Sequence, residues 1–309
     1  MKLISSPDTS RRRIAAVGMY DGVHLGHRFL IDYLGVEARS RGLVPSVVTF
    51  VRHPLTVVRP TEAPALLDTL EDRMLSLGEA GAEDVIVLEF NDRIHHMSAE
   101  KFLTRLKSKY AIDALVIGFN NRIGHDLPAS IDQYRAIGRN VGIEIIAAPE
   151  YRGLGAPVSS SAIRHYLQEG QVEKATEALG RHFTMRGVVV GGKQLGRTLG
   201  FPTANIKPSS PDILLPRHGV YAAQVTTPDG CRRKAVVNVG FRPTVDGDIA
   251  AEEARLSIEA HIIGYQGYIY DEEVKLEFVK WLRPEKRFTS TAKLAAQVKD
   301  DIETALKAL

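Results

Sequence analysis

Two histidines three residues apart stand in Gly18-Met19-Tyr20-Asp21-Gly22-Val23-His24-Leu25-Gly26-His27, between a short apolar run and a helical pattern that includes Leu30 and Leu34. Both rings can donate N–H hydrogen bonds to one anion, and such donors stabilise charge that develops on a phosphate during its transfer. Gly18, Gly22 and Gly26 allow close approach of the backbone to a ligand, and the helix N-terminus adds free N–H groups and the positive end of a dipole. Tyr20 and Asp21 complete this turn as candidate nucleotide contacts. A single histidine is ordinarily structural, whereas a pair in a glycine-framed strand-to-helix turn is placed for a phosphate. Zinc is the competing reading, but no third ligand stands nearby with comparable clarity.

Three more segments carry chemistry. Ser159, Ser160 and Ser161 open a helical stretch with Arg164 about one turn in. The serines supply hydroxyl and backbone donors, and the guanidinium can clamp phosphates that leave as pyrophosphate; an ordinary N-cap is the plainer reading of the serines. Gly191-Gly192-Lys193-Gln194-Leu195-Gly196-Arg197-Thr198-Leu199-Gly200 is a basic, glycine-rich loop whose N–H groups could fold around phosphate oxygens, with Gly192, Lys193, Gly196 and Arg197 as contacts. It lacks the spacing of a Walker A loop, and read alone it is equally a flexible turn. In Ser257-Ile258-Glu259-Ala260-His261, strand alternation puts Ser257, Glu259 and His261 on one polar face. A solvated strand carboxylate is the commoner fate of such a glutamate.

The elements that must position these residues fall into two patterns. Up to about residue 150, strand-like runs at 14–17, 44–50, 84–88, 114–117 and 142–147 alternate with helical stretches. This predicts an α/β domain with a doubly wound parallel sheet, whose ligands bind at the carboxyl ends of the strands. Beyond about 181, strand-like segments at 184–190, 220–226, 232–239, 255–263 and 273–282 predict an antiparallel β-barrel or sandwich. Pro228-Asp229-Gly230 predicts a hairpin turn, and the tail after Ser290 predicts one closing helix. Gly180 ends a helical stretch, which sets domains of 1–180 and 181–309.

Composition narrows the function classes. The 309 residues are enough for two cores, and a net charge of +3 on 40 basic and 37 acidic side chains gives no basis for a nucleic-acid groove. Cys231 is the sole cysteine, which excludes an intramolecular disulfide and suits a reducing, cytoplasmic setting. No run approaches the roughly 18 apolar residues of a membrane span, and the apolar stretch after Arg11, Arg12 and Arg13 is broken too early for a signal peptide.

The turn from Gly18 to His27 resembles the G-x-[FY]-D-x-x-H-x-G-H signature of nucleotidyltransferases that attack an α-phosphorus directly. With Thr49-Phe50, His53-Pro54, Gly118-Phe119-Asn120-Asn121-Arg122-Ile123-Gly124 and Ser159-Ser160-Ser161-Ala162-Ile163-Arg164, the half resembles the FMN adenylyltransferase module of bacterial FAD synthetases. Leu199-Gly200-Phe201-Pro202-Thr203-Ala204-Asn205 resembles the signature of riboflavin kinases, and Asn238-Val239-Gly240-Phe241-Arg242-Pro243-Thr244, Glu259-Ala260-His261 and Arg283 with Glu285, Lys286 and Phe288 continue the likeness. The resemblance implies a Rossmann-like domain followed by a barrel kinase, riboflavin, FMN and ATP as substrates, and FMN and FAD as products. It implies Mg2+ held at Thr203 and Asn205, Glu259 as base, a nucleotide contact at Asn120, and flavin contacts at Arg242, Arg283 and Glu285. Asn121 and Ile123 stand where that family carries aromatics, and Arg52 precedes His53 where it carries proline. Two rivals follow: a riboflavin kinase whose adenylyltransferase is weakened or lost, and a non-catalytic flavin or nucleotide sensor. A cytidylyltransferase would explain only the first half.

Overall fold

The computed structural model describes residues 1–118, 122–153, 155, 158–192, 200–241 and 256–309. It divides into two compact units, Met1–Ser159 and Ser160–Leu309.

In the first unit, β1 (Lys2–Ile4), β2 (Arg13–Val17), β3 (Val44–Phe50), β4 (Asp84–Leu88), β5 (Ile112–Ile117) and β6 (Glu144–Ala147) form a parallel sheet of order β1-β4-β3-β2-β5-β6. Its strands are near-continuous apolar runs because both faces are covered, one by a core around Leu103, Leu106 and Leu115, the other by a core around Ile31, Leu34 and Leu77. Helix α1 (Leu25–Arg41) follows β2 and ends at Gly42 in the left-handed conformation. Helix α2 (Leu55–Val58) follows β3, and α3 (Leu70–Glu79) begins at Thr69, whose hydroxyl accepts from Asp72 N. Helices α4 (Asp92–His95), α5 (Ala99–Tyr110) and α6 (Ile131–Val141) complete the unit. The chain passes from β2 to β3 on one side and finds β5 on the other, so the strand order reverses beside β2. The crevice at such a reversal is where this architecture binds ligands.

The second unit opens with α7 (Ser160–Gln168) and α8 (Val172–Leu179), then closes a barrel. Strands β7 (Phe183–Val190), β8 (Ala204–Pro208), β9 (Gly219–Thr226), β10 (Arg232–Phe241), β11 (Leu256–Ile262) and β12 (Glu273–Arg283) pair antiparallel in the order β10-β11-β8-β7-β12-β9. The hairpin foreseen at 228–230 joins β9 to β10, with Gly230 at φ 77° and Asp229 accepting from Cys231 N. The closing helix, α9 (Thr291–Ala308), is capped by Ser290, whose hydroxyl accepts from Lys293 N.

Two strands escape sequence patterning. β1 has three residues, and β8 is the Ala204–Pro208 segment that reads as motif rather than strand. The packing also groups α7 and α8 with the barrel, so the compact units divide at 159/160 where the sequence reading sets its boundary at 180.

Candidate active sites

The first site is built on the turn between β2 and α1. Tyr20 at φ 55°, Gly22 at φ 82° and Val23 at φ 37° all occupy left-handed backbone. For tyrosine and valine this is unfavourable and persists only where the surroundings enforce it. The result is a tight reversal that delivers His24 as the N-cap of α1. Its Nδ1 accepts from His27 N at 3.3 Å, which leaves Nε2 to carry the donor hydrogen. Gly26 makes this possible: a Cβ there would lie 3.2 Å from the His24 ring and 3.7 Å from the Val158 carbonyl. The two imidazoles stack with centroids 3.7 Å apart, and Tyr20 meets His27 at 5.0 Å. Burial holds the His24 ring down at about 4, and burial together with the His24 charge pushes His27 well below its ordinary value. Both rings are therefore neutral donors near pH 7. His27 Nδ1 is buried with no hydrogen-bond partner among the described residues, a polar atom in want of a ligand.

Two other residues expected to touch nucleotide also have contacts within the protein. Asp21 is buried and its Oδ1 accepts from Leu67 N at 2.9 Å and Asp68 N at 3.3 Å. Tyr20 is 1% exposed and packs in the core beneath α1, with its ring 3.0 Å from where a Gly18 Cβ would stand. Beside the turn lies a cavity of about 370 Å³, walled by Met19, Phe50, Phe90 and Phe102 with Arg122 and Ile123. Ile123 is buried and held at both its N–H and its carbonyl by the Tyr134 hydroxyl, at 2.8 and 2.9 Å. Asn120 and Asn121 lie outside the described residues. Ser159, the last residue of the first unit, precedes α7; Ser160 and Ser161 form the first turn of α7 and Arg164 is buried on it, so these three belong to the second unit.

In the barrel, strand register assembles the second site. Asn205 on β8 pairs with Glu259 on β11, Glu259 with Asn238 on β10, Asn238 with Val220 on β9, and Val220 with Arg283 on β12. Directly opposed residues share a face, so these five form one transverse row. Glu259, Asn238 and Arg283 line a cavity of about 480 Å³ with Thr203, Glu285 and, from α9, Leu294 and Val298. On β11 the expected alternation holds: Ile258, Ala260 and Ile262 are buried, whereas Glu259 and His261 turn to this cavity. A second cavity of about 140 Å³ lies against Pro202, Thr203, Tyr265 and Tyr268. Thr203 lines both. His261 Nδ1 meets the Pro202 carbonyl at 2.9 Å, which fixes the strand entry.

Gly192 presses on Asn205: a Cβ there would lie 2.0 Å from Asn205 Nδ2. Lys193, Gly196, Arg197 and Arg242 lie outside the described residues. Glu285 accepts from Asn238 Nδ2 at 2.9 Å, and Gly240 leaves room for it, since a Cβ would stand 1.9 Å from Glu285 Oε1. Arg283 is engaged with α9: Nε and Nη2 donate to Asp301 at 2.8 and 2.6 Å, so it reaches the cavity as an anchored wall. Among the described residues no group of three His, Cys, Asp or Glu could hold a metal. The oxygens of Thr203 and Asn205 are the neutral, hard donors that suit Mg2+ carried in on phosphates. Asn238, Asp301 and the Thr49 hydroxyl, which donates to the Met19 carbonyl at 3.1 Å, are site-building residues that the sequence reading leaves without a role.

A parallel-sheet unit with neutral histidines at a helix N-terminus, followed by a closed barrel with a carboxylate facing the larger of two cavities that meet at Thr203, defines a nucleotide-dependent transferase with two sites. Residues 6–162 match the FAD synthetase family model and residues 179–309 the riboflavin kinase model. The chain belongs to the family of bifunctional riboflavin kinase/FMN adenylyltransferases. It is 32% identical over 293 residues to the protein of that description from Escherichia coli (strain K12), covering 94% of this chain and 91% of the relative. It is 33% identical over 293 residues to the one from Pseudomonas fluorescens, with the same coverage of both. A crystal structure described as a macrolide-efflux protein from Streptococcus pneumoniae shares the fold, with a TM-score of 0.86, 26% identity, and coverage of 98% of this chain and 97% of that one. Among the described residues no helix here is long and apolar enough to cross a membrane.

Proposed function

We propose that the chain phosphorylates riboflavin to FMN in its barrel and adenylylates FMN to FAD in its parallel-sheet unit. The observation that carries the kinase half is Thr203 on the wall of both cavities, just ahead of β8, the strand that pairs with Glu259. Riboflavin occupies the larger cavity and the nucleotide phosphates lie on the Gly192 side of Asn205. Glu259 accepts the proton of the ribityl 5′-hydroxyl while its oxygen bonds to the γ-phosphorus and the bond to ADP breaks. Thr203 and Asn205 would hold Mg2+, which draws charge from the phosphate oxygens. Glu285, oriented by Asn238, fixes the flavin, and α9 keeps water from the cavity.

In the other half an FMN phosphate oxygen attacks the α-phosphorus of ATP and pyrophosphate leaves. The nucleophile is already an anion, so no base is required, and catalysis is alignment plus charge stabilisation. His24 and His27 donate to the oxygens that gain charge, and the aromatic cavity beside Met19 takes the isoalloxazine. The lone cysteine suits a cytoplasmic location.

Incubation with riboflavin, ATP and Mg2+, followed by chromatography, tests the reading. FMN and then FAD must form. FMN alone would leave a kinase with a silent first site, and flavin binding without turnover would make the chain a sensor.

A further inference from the structure

Arg73 is fully buried, 0% exposed, at the end of the first turn of α3. A guanidinium so placed is costly unless its donors are used, and burial pushes its pKa down while the Asp21 and Asp68 carboxylates push it back up. Its Nη donors are spent on two loops at the carboxyl ends of neighbouring strands, while Nε is buried with no hydrogen-bond partner among the described residues. Nη1 donates to the Met19 carbonyl at 2.9 Å and lies 3.1 Å from the Met19 sulfur; Nη2 donates to the Val51 carbonyl at 3.4 Å. The loop after β2 and the loop after β3 are thereby tied to one rigid helix. Met19 carries more than this bond. It adjoins Tyr20, whose left-handed backbone starts the reversal toward His24, and its side chain walls the aromatic cavity.

We propose that Arg73 is a positioning residue for adenylyl transfer: by gripping the Met19 carbonyl from behind, it fixes the turn that aims both histidines and the wall against which the flavin rests. The inference rests on the adenylyltransferase reading of that turn. Thr49 grips the same carbonyl with one donor, and the planar fork of Arg73 adds a second grip that reaches across to Val51. Lysine, with a compact ammonium, cannot span both carbonyls.

The full-length protein carries its own control, since riboflavin phosphorylation occurs on another unit. In Arg73→Met and Arg73→Lys we expect kcat for FMN to FAD, divided by kcat for riboflavin to FMN in the same preparation, to fall by about tenfold or more for Met. Lys should lie between Met and the parent. A role in stability alone would lower the melting temperature and leave that ratio at saturating FMN and ATP unchanged, and an unchanged ratio in both variants overturns the proposal. Should Met fail to fold, Lys decides it. A parent that makes no FAD would instead overturn the adenylyltransferase reading. The proposal is then judged by the His24 and His27 imidazole resonances, which must move in Arg73→Lys; unmoved resonances reject it.

Discussion

A primary alcohol is a weak nucleophile near neutral pH, so the kinase reading depends on Glu259 taking a proton. Glutamine keeps its shape without that capacity, and Glu259→Gln should lower riboflavin phosphorylation roughly 10²-fold or more with flavin binding and the melting temperature kept. Near-parental turnover in a coupled ADP assay would return Glu259 to the solvated carboxylates. At the other site, loss of one transition-state donor in His27→Ala should cost on the order of 10²–10³ in FMN adenylylation and spare phosphorylation. Because folded His24 titrates at about 4 rather than 6.5, with His27 lowered as well, the rings should give no step near 6.5 in the pH profile of kcat. The unfolded chain binds those protons first, so the first unit should be fully stable above about 6.5 and lose stability as pH falls from 6.5 toward 4. A stability that rises on acidification through that window would contradict the burial of both rings. At this scale the sequence reveals residue types but not their duties. The pair of histidines is legible from spacing and Glu259 from alternation, Thr203 only through the family motif, whereas the bonds that tie Asp21 to Leu67 and Arg283 to Asp301 leave no mark in the sequence. Arg73 leaves a faint signal, a charge at helical spacing among Leu70, Met74 and Leu77 on a buried face.

At the scale of elements, α9 stands out because it both packs on the barrel and walls the cavity of about 480 Å³. Its hold is partly apolar, through Ala305 against Val220, Ala222 and Val236, and partly the Asp301–Arg283 pair. Removing one partner from such a buried pair strands the other, so Asp301→Ala should destabilise the barrel by about 3 kcal/mol, the lower end for buried pairs, because Arg283 keeps some access to water. The KM for riboflavin should rise with it, and urea denaturation with steady-state kinetics checks both; an unchanged KM would detach α9 from flavin binding. Strand cores were legible for a physical reason: continuous apolar runs in the sheet and alternation in β11 record which faces are buried. β8 was not, because Pro202, Lys207 and Pro208 give it no strand pattern and its ladder depends on β7 and β11 on either side. The affiliation of α8 was equally hidden. An amphipathic stripe such as Val172, Ala175 and Leu179 shows that a helix is buried, not which core buries it.

For the whole molecule, the packing of α7 and α8 with the barrel makes a specific demand on truncation. A fragment beginning at Ser160 and one beginning at 180 should both phosphorylate riboflavin, but the shorter one exposes the surface of β7 and β12 that α8 covers and should melt at a lower temperature. Equal melting temperatures would show that the two helices add nothing to the barrel. The division at 159/160 has another consequence. Because one chain carries both catalytic centres, every ribosome that completes it delivers them in equal number, and no change in transcription can alter their ratio. A cell that needs more of the dinucleotide and less of the mononucleotide cannot adjust expression to get it; the partition of flavin between the two pools must be set by the relative turnover of the centres and by whatever inhibits one and not the other.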